Sequence, residues 1–324
     1  MQFRTLGHSG LKLSVIGLGS WLTFGRSVDA STTRDCVFRA WERGVNFIDT
    51  ANVYARGAAE ETLRPVIKQL NRDALVLATK VYFPMGDTVN ERGLSRKHIR
   101  DQVHRSLRRL GVDYIDLYQC HRPDETTPLE ETCEMMNDLV RQGTILYWGT
   151  SEWNADRIVG AVTLCRARGW AVPISNQPQY SALWRRIEER VLPVSEQYGI
   201  GNVVWSPIAM GILSGKYTDA ARPPAGSRAA GENREMMEDY FTQPILDAVA
   251  KLRPLAEQAG VSMVQLALAW VLRQPAVTSA IVGATKPAHV DDNVAAGDAQ
   301  LDPAVFERMN EILAPVLPHE PYLA

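Results

Sequence analysis

The chain has little net charge and no long apolar run, and each of these shortages excludes a class of protein. Its 35 basic and 37 acidic residues leave a formal net charge of −2. Such a balance provides no strongly basic surface for nucleic acid or for an anionic membrane. No stretch approaches the roughly 18 consecutive apolar residues that a membrane span requires. We therefore expect a soluble protein without nucleic-acid or membrane partners.

Cysteine is also scarce, and its spacing bears on metal binding and location. The four cysteines, Cys36, Cys120, Cys133 and Cys165, lie far apart in the sequence and form no C-x-x-C pair. This pattern suggests neither a zinc site nor a redox pair, so no metal is expected. The first residues are polar and lack the apolar core of a secretory signal. Unpaired thiols without such a signal are typical of a reducing compartment, which predicts a cytoplasmic protein.

What the sequence does contain is a regular alternation of short and long segments. A β-hairpin is predicted first, around a turn at residues 8–10. Eight short apolar runs then alternate with longer stretches whose apolar residues recur at helical spacing. The runs of strand length are 15–18, 45–48, 75–78, 114–118, 146–148, 173–175, 202–204 and 278–282. The helical stretches are 32–43, 60–69, 96–110, 129–141, 156–168, 186–197, 263–273 and 287–295.

Eight successive strand–helix units predict an α/β fold with a parallel sheet, because the crossovers between parallel strands are right-handed. Closure of the sheet gives a (β/α)8 TIM barrel, and an open doubly wound sheet is the alternative. No flexible linker divides the chain, so residues 1–324 are interpreted as a single domain. Two extra helices, at 244–259 and 303–313, a long irregular loop over 209–242 and a proline-rich tail over 315–321 complete the prediction.

Polar residues follow the ends of the predicted strands one after another. Asp49 and Tyr54 follow the second strand of the repeat, Lys80 the third and His121 the fourth. The C-terminal ends of all strands in a barrel converge on one face, where active sites are found. We therefore expect these side chains to meet. The residues after the later strands are Ser151, Asn176, Gln177, Ser206, Gly283 and Lys286.

A tyrosine, a lysine, an aspartate and a histidine together indicate acid–base chemistry. Tyrosine is a weak acid, and an ammonium such as that of Lys80 favours the phenolate and lowers the pKa. Asp49 would keep the lysine charged, and His121 could donate a hydrogen bond to a carbonyl oxygen. Taken singly, each residue also fits a structural role, such as a turn cap or a buried histidine. The group supplies a proton but no hydride, so a redox cofactor is implied.

The motifs around these residues resemble the aldo-keto reductase superfamily over essentially the whole chain. Within it, the sequence is similar to the branch that contains the voltage-gated potassium channel β-subunits and their bacterial relatives. The motifs are GVNFIDTA at 44–51 with Tyr54, ATK at 78–80, DLYQCH at 116–121, WGTS at 148–151, NQP at 176–178, WSP at 205–207 and GILSGKY at 211–217.

The resemblance implies a barrel enzyme that reduces aldehydes or ketones with NADPH. Tyr54 would be the general acid of a tetrad completed by Asp49, Lys80 and His121. NADP(H) is favoured over NAD(H) because Lys286 is the only cation at the position expected for the 2′-phosphate. The residues implied at the cofactor are Ser151, Asn176 and Gln177 for the carboxamide, Trp205 for the nicotinamide ring, Ser206, Ile208, Gly211 and Lys216 for the pyrophosphate, and Gly283, Thr285, Lys286, His289, Asp292 and Asn293 for the adenosine half.

Two questions about partners stay open at this point. A small carbonyl compound is the expected substrate, and aromatic residues in loops on the catalytic face are candidates for its pocket. The relatives range from monomers to octamers, so a homo-oligomer is neither predicted nor excluded. The candidate pocket residues are Trp21, Tyr82, Phe83, Trp153 and Trp184.

The alternative function is that of a cofactor-binding regulatory subunit with weak or vestigial reductase activity. Channel-associated relatives often have asparagine at the fourth tetrad position, whereas this chain has His121, which favours an enzyme. A second difference from these relatives is Glu152, which occupies a position where channel β-subunits have arginine.

Overall fold

The computed structural model describes residues 1–231 and 234–317, and in it eight parallel strands close into a barrel. Each strand pairs with its successor in the chain, and the last pairs with the first. The barrel prediction is confirmed, and the open-sheet alternative is wrong. The strands are β1 (Phe3–Thr5) and β2 (Lys12–Ser14) of the hairpin, then β3 (Ile16–Gly19), β4 (Phe47–Asp49), β5 (Val76–Val81), β6 (Ile115–Cys120), β7 (Ile145–Ser151), β8 (Ser175–Gln177), β9 (Gly201–Val204) and β10 (Val277–Val282).

Helices surround the barrel, and their ends follow local capping chemistry. The Ser95 side chain accepts a hydrogen bond from the N–H of His98 where α3 begins, and Gly111 adopts a left-handed conformation where it ends. The helices are α1 (Ala30–Glu42), α2 (Ala58–Ile67), α3 (Arg96–Leu110), α4 (Leu129–Arg141), α5 (Ala155–Arg168), α6 (Val191–Tyr198), α7 (Gln243–Ala250), α8 (Arg253–Gln258), α9 (Met263–Leu272), α10 (Pro287–Ala295) and α11 (Pro303–Leu313).

The helix predicted over 244–259 is in fact two helices, so the chain has three extra helices in its described part rather than two. α7 ends at Ala250 and α8 begins at Arg253. Pro254 explains the break, because proline has no N–H and its ring collides with the carbonyl group four residues earlier. No single described helix is long and apolar enough to cross a membrane. The α7–α8 segment and α9 meet that test only jointly, across a bend of 90°.

The segment 209–242 is better anchored than its glycine and proline content predicts. Ile212, Leu213 and Tyr217 from its first part are buried, and so are Met237 and Phe241 near its end. The rings of Tyr217 and Phe241 pack edge to face, with centroids 5.1 Å apart. The expectation of an irregular loop therefore holds only between these apolar anchors. The predicted tail beyond residue 317 lies outside the described residues.

The barrel interior is closed at one end by apolar packing. Inward-facing Phe47, Leu117 and Ile281 form one cluster with Leu6 and Leu13 of the hairpin, which covers the N-terminal ends of the strands. Space at this end is limited, so the inward-facing positions of β3 are occupied by glycines. A Cβ added at residue 17 would lie 2.5 Å from the Phe47 ring. The charged groups of the predicted site lie at the opposite end, where the strands finish.

A buried ion pair fastens α2 and α3 to the barrel next to Lys80. Glu60 is fully buried, and its carboxylate accepts hydrogen bonds from Arg109 Nε at 2.6 Å and from Thr79 Oγ1 at 2.6 Å. Thr79 precedes Lys80 on β5, and α2 begins directly after the turn that carries Tyr54. The pair thus holds the tyrosine turn against the strand that carries the lysine.

Replacing Arg109 with methionine should destabilise the protein by about 3–5 kcal/mol, because it leaves the Glu60 carboxylate buried without its cation. Thermal and denaturant unfolding would measure this loss. Arg108→Met is the matched control, since Arg108 is exposed on the same helix. Equal stability of the two variants would contradict the role assigned to the pair.

Candidate active site

The alternation of side chains along the strands brings the predicted polar residues to the open end of the barrel. Phe47 and Ala78 belong to the interior cluster. Two residues further along, Asp49 on β4 and Lys80 on β5 face the same interior, and Asp49 pairs in register with Ala78. On β6, Leu117 faces inward, so His121 just past the strand end does as well.

Lys80 is the centre of this arrangement. The side chain is fully buried. Its ammonium donates to Asp49 Oδ2 at 2.6 Å, to the carbonyl of Thr50 at 2.8 Å and to the hydroxyl of Tyr54 at 3.3 Å. Burial by itself lowers the pKa of Lys80, but the attraction of Asp49 and Tyr54 outweighs it and the pKa lies above its usual value. The lysine is therefore charged, with all three of its protons engaged.

Asp49 links the lysine to a second inward-facing residue. Its other oxygen, Oδ1, accepts a hydrogen bond from Gln177 Nε2 at 2.9 Å. A carboxylate can only accept, so the NH₂ group of Gln177 must face it. The carbonyl oxygen of the Gln177 amide is thereby left as an acceptor at the mouth of the barrel.

Tyr54 begins a short 3₁₀ turn, Tyr54–Gly57, and is half-buried. Burial raises the pKa of its hydroxyl, Lys80 lowers it, and Asp49 raises it again, so that the pKa lies above the usual tyrosine value. The lowering expected from the lysine is present, but it is outweighed in this structure. The phenol is consequently protonated at neutral pH and holds a proton that it can donate.

His121 lies between two aromatic rings in the same site. Its ring packs edge to face on Tyr54, at a centroid distance of 5.7 Å, and on Phe83, at 4.9 Å. Burial, together with the positive charges of Lys80 and Arg122, holds the pKa of His121 well below its usual value. The imidazole is neutral, and its buried Nδ1 has no hydrogen-bond partner in the described structure.

The residues expected around a nicotinamide carboxamide do not all face the mouth. Ser151 faces inward by strand alternation, and its hydroxyl donates to the backbone carbonyl of Gln177 at 2.9 Å. Asn176 occupies the alternate position on β8, where its side-chain oxygen accepts from Thr150 Oγ1 at 2.9 Å. Ser151 and Gln177 are thus brought together, whereas Asn176 lies on the other side of the strand.

Trp205 is held by a residue whose role the sequence did not indicate. Its indole N–H donates to Glu152 Oε1 at 2.7 Å, and the same oxygen accepts from the backbone N–H of Gln179 at 2.6 Å. Trp21 then packs edge to face on Trp205, with centroids 5.6 Å apart. Glu152 therefore fixes the indole, and its sequence signals were its place directly after β7 and its difference from the arginine of channel β-subunits.

The backbone around the mouth carries unusual conformations. Seven non-glycine residues of the described chain have positive φ, and all of them follow the C-terminal end of a barrel strand. Such conformations cost free energy and tend to persist at functional sites. The residues are Leu22, Ala55, Arg56, Glu152, Ser206, Ala209 and Met210.

A second polar region, at the start of α10, contains the residues predicted to bind the phosphate groups of the cofactor. Lys286 precedes α10, and both Lys286 and Lys216 contribute to lowering the pKa of His289, after burial as the first cause. Both lysines therefore lie close to the histidine. Thr285 Oγ1 is 3.2 Å from His289 Nδ1. Positive charge at a helix N-terminus is a site for anions.

The other residues predicted to contact the cofactor here differ in their exposure and in their hydrogen bonds within the protein. Asp292 Oδ1 accepts from Ser262 Oγ and from Gln265 Nε2, both at 2.8 Å. Asn293 is buried, whereas Gly283 is exposed. Ile208 precedes a left-handed stretch, and its carbonyl accepts from the N–H of Gly211 at 2.9 Å. This contact shapes the turn that leads to Lys216.

The aromatic residues predicted to line a substrate pocket divide into two groups. Trp21 lies 6.5 Å from the Tyr54 ring, and Phe83 contacts both His121 and Tyr82. Trp153, in contrast, is only 1% exposed and belongs to the core. Trp184 lies apart from the tetrad, against Tyr240. Trp21 and Phe83 therefore flank the reactive groups, and Trp205 and Tyr82 pack in turn against these two rings.

The chain matches a family model, that of the aldo/keto reductase family, over residues 15–314. It is also similar to three curated proteins. A probable voltage-gated potassium channel subunit beta of Arabidopsis thaliana is 40% identical over 319 residues, which cover 97% of both chains. A putative voltage-gated potassium channel subunit beta of Schizosaccharomyces pombe is 40% identical over 97% of this chain and 93% of its own.

The third curated protein is a probable voltage-gated potassium channel subunit beta of Oryza sativa subsp. japonica. It is 40% identical over 97% of each chain. Identity of this level over nearly the full length, together with the family match and the closed barrel, settles the family. The chain belongs to the aldo/keto reductase family.

Proposed function

We propose that this protein reduces aldehydes or ketones to alcohols with NADPH, and that Tyr54 donates the proton. The observation that carries this proposal is the contact of Tyr54 with Lys80, the buried ammonium held by Asp49. A protonated phenol beside a fixed cation can release its proton to a developing alkoxide. The tyrosinate that remains is then stabilised by the ammonium at 3.3 Å.

His121 would position the carbonyl group. A neutral imidazole has one N–H to donate, and the ring of His121 lies against Tyr54, so both residues can reach the same oxygen. Because its pKa is low, the histidine is neutral near pH 7 and carries no imidazolium proton that could replace the proton of Tyr54. Trp21 and Phe83 would supply the apolar walls that keep water away from this oxygen.

The residues at the mouth fit a nicotinamide cofactor, which when bound supplies the hydride. Gln177 offers a free amide oxygen, the acceptor that a carboxamide NH₂ needs, and Glu152 holds the Trp205 indole next to it. Lys216 and Lys286 would bind the phosphate groups, because two exposed cations close to one histidine repel each other until an anion joins them.

Lys286 supports NADP(H) over NAD(H). The residue is exposed at the start of α10, where a 2′-phosphate would gain both the lysine charge and the helix dipole. Arg228, which the sequence analysis did not include, is partly buried on the same loop as Lys216 and donates to the carbonyl of Met210 at 3.3 Å. It would hold the loop in place for the phosphates.

A regulatory subunit that binds the cofactor and turns over slowly is the second candidate. The names of the curated relatives favour it, since all three are described as channel β-subunits. A complete set of reactive groups favours the enzyme instead. Steady-state assays with NADPH and a panel of small aldehydes and ketones distinguish the two. Turnover of about 1 s⁻¹ or faster would support the enzyme, whereas tight cofactor binding without turnover would support the regulatory subunit.

Replacing Tyr54 with phenylalanine should reduce kcat about 10²–10⁴-fold, because the ring remains but the proton donor is lost. NADPH affinity, measured by fluorescence titration, should change little. Tyr198→Phe, on the outer helix α6, removes a hydroxyl away from the mouth and serves as the control. Full turnover by the Tyr54 variant would eliminate tyrosine as the acid.

Replacing Lys286 with alanine should weaken NADPH binding about ten- to hundredfold, since a charge-assisted contact contributes about 1.5–3 kcal/mol. NADH affinity should be nearly unchanged because NADH lacks the 2′-phosphate. Titration of both cofactors, with Lys68→Ala as an exposed-lysine control, measures the difference. An equal loss for NADPH and NADH would show that Lys286 does not recognise this phosphate.

A further inference from the structure

A cavity of about 370 Å³ lies outside the site described above. Its volume is in the range of pockets that hold small ligands. Trp184, predicted for the substrate pocket, lines this cavity instead, and neither Tyr54 nor Lys80 contributes to it. The walls include Leu183, Trp184, Arg186, Asp239, Tyr240 and Val316.

Arg186 is the unusual member of this wall. Its guanidinium stacks over the Trp184 ring at 4.1 Å from the centroid. In the described part of the chain it makes neither an ion pair nor a hydrogen bond, and its Nε is buried without a partner. Two arginines close to it in the sequence do have partners, since Arg185 donates to the carbonyl of Ala182 and Arg190 pairs with Asp156. Arg186 is thus a positioned cation without a counter-ion among the described residues.

The rest of the wall determines which anion fits. Asp239 carries a negative charge at the same cavity, so a dianion would be repelled and a monoanion is favoured. A planar guanidinium matches the geometry of a carboxylate. The apolar wall and the edge-to-face pair of Trp184 and Tyr240, 5.7 Å apart, suit an apolar body and above all an aromatic ring.

We propose that this cavity binds a small monocarboxylate with an aryl or alkyl body, its carboxylate on Arg186 and its body between Trp184 and the aliphatic wall. The site is distinct from the reductase site and does not depend on the proposed reaction. It is nevertheless adjacent, because the Tyr240 hydroxyl accepts from Gln179 Nε2 at 2.9 Å and Gln179 in turn contacts Glu152.

Isothermal titration of the full chain with phenylbutyrate, and with phenylbutyramide as its uncharged counterpart, tests the proposal. Phenylbutyrate should bind, and the amide should bind about ten- to hundredfold more weakly because it lacks the charge. Arg186→Gln should weaken phenylbutyrate binding by a similar factor. Arg190→Gln, which removes an exposed arginine of the same segment, should bind as the unaltered protein does. Thermal melting would show that each variant is folded.

A second variant tests the cavity itself. Val316→Phe should fill part of the space and weaken binding while Arg186 is retained, whereas Tyr54→Phe should leave binding unchanged. The proposal is overturned if the unaltered chain gives no binding heat up to about 10 mM phenylbutyrate. It is also overturned if the amide binds as tightly as the acid, or if Arg186→Gln has no effect.

Discussion

The contact between Lys80 and Asp49 is the interaction on which the site depends. A buried ammonium is costly unless it is paired and fully hydrogen-bonded, and here the carboxylate, a backbone carbonyl and a phenol satisfy its three protons. The pairing requires β4 and β5 to be neighbours in the observed register. It also requires the turn after β4 to fold back over the lysine. Barrel closure, strand register and the conformation of the tyrosine turn are therefore parts of one electrostatic arrangement.

Much of this arrangement could be predicted from the sequence, because strand ends are simple to recognise and converge in a barrel. Asp49 directly follows a short apolar run, and Lys80 follows another after one residue. A period of two then makes both face inward. Helix α3 was predicted with its observed bounds since Ser95 and Gly111 mark its ends with local capping chemistry. In these cases the physical cause lies within a few residues of the feature, so the sequence alone carries it.

Other features arise only from contacts between distant segments, and the sequence could not supply them. Glu152 bonds to Trp205, 53 residues away, and no spacing rule connects the two. Trp153 was expected at the pocket but is buried, because the direction of a side chain in a loop is set by packing. The pKa of Tyr54 is a similar case. Its direction depends on how far burial outweighs the lysine charge, which only the folded surroundings decide.

The orientation of the Gln177 amide has a consequence for the direction in which a polar group can enter the barrel. Asp49 fixes the NH₂ group on its own side, so Gln177 presents an acceptor at the mouth, while the protonated Tyr54 hydroxyl is a donor. A molecule that enters in the reverse sense would set acceptor against acceptor and donor against donor. The mouth of the barrel is therefore polar in a defined direction before any substituent is recognised. One carboxylate, through hydrogen-bond direction alone, thus determines how a polar group is oriented when it enters.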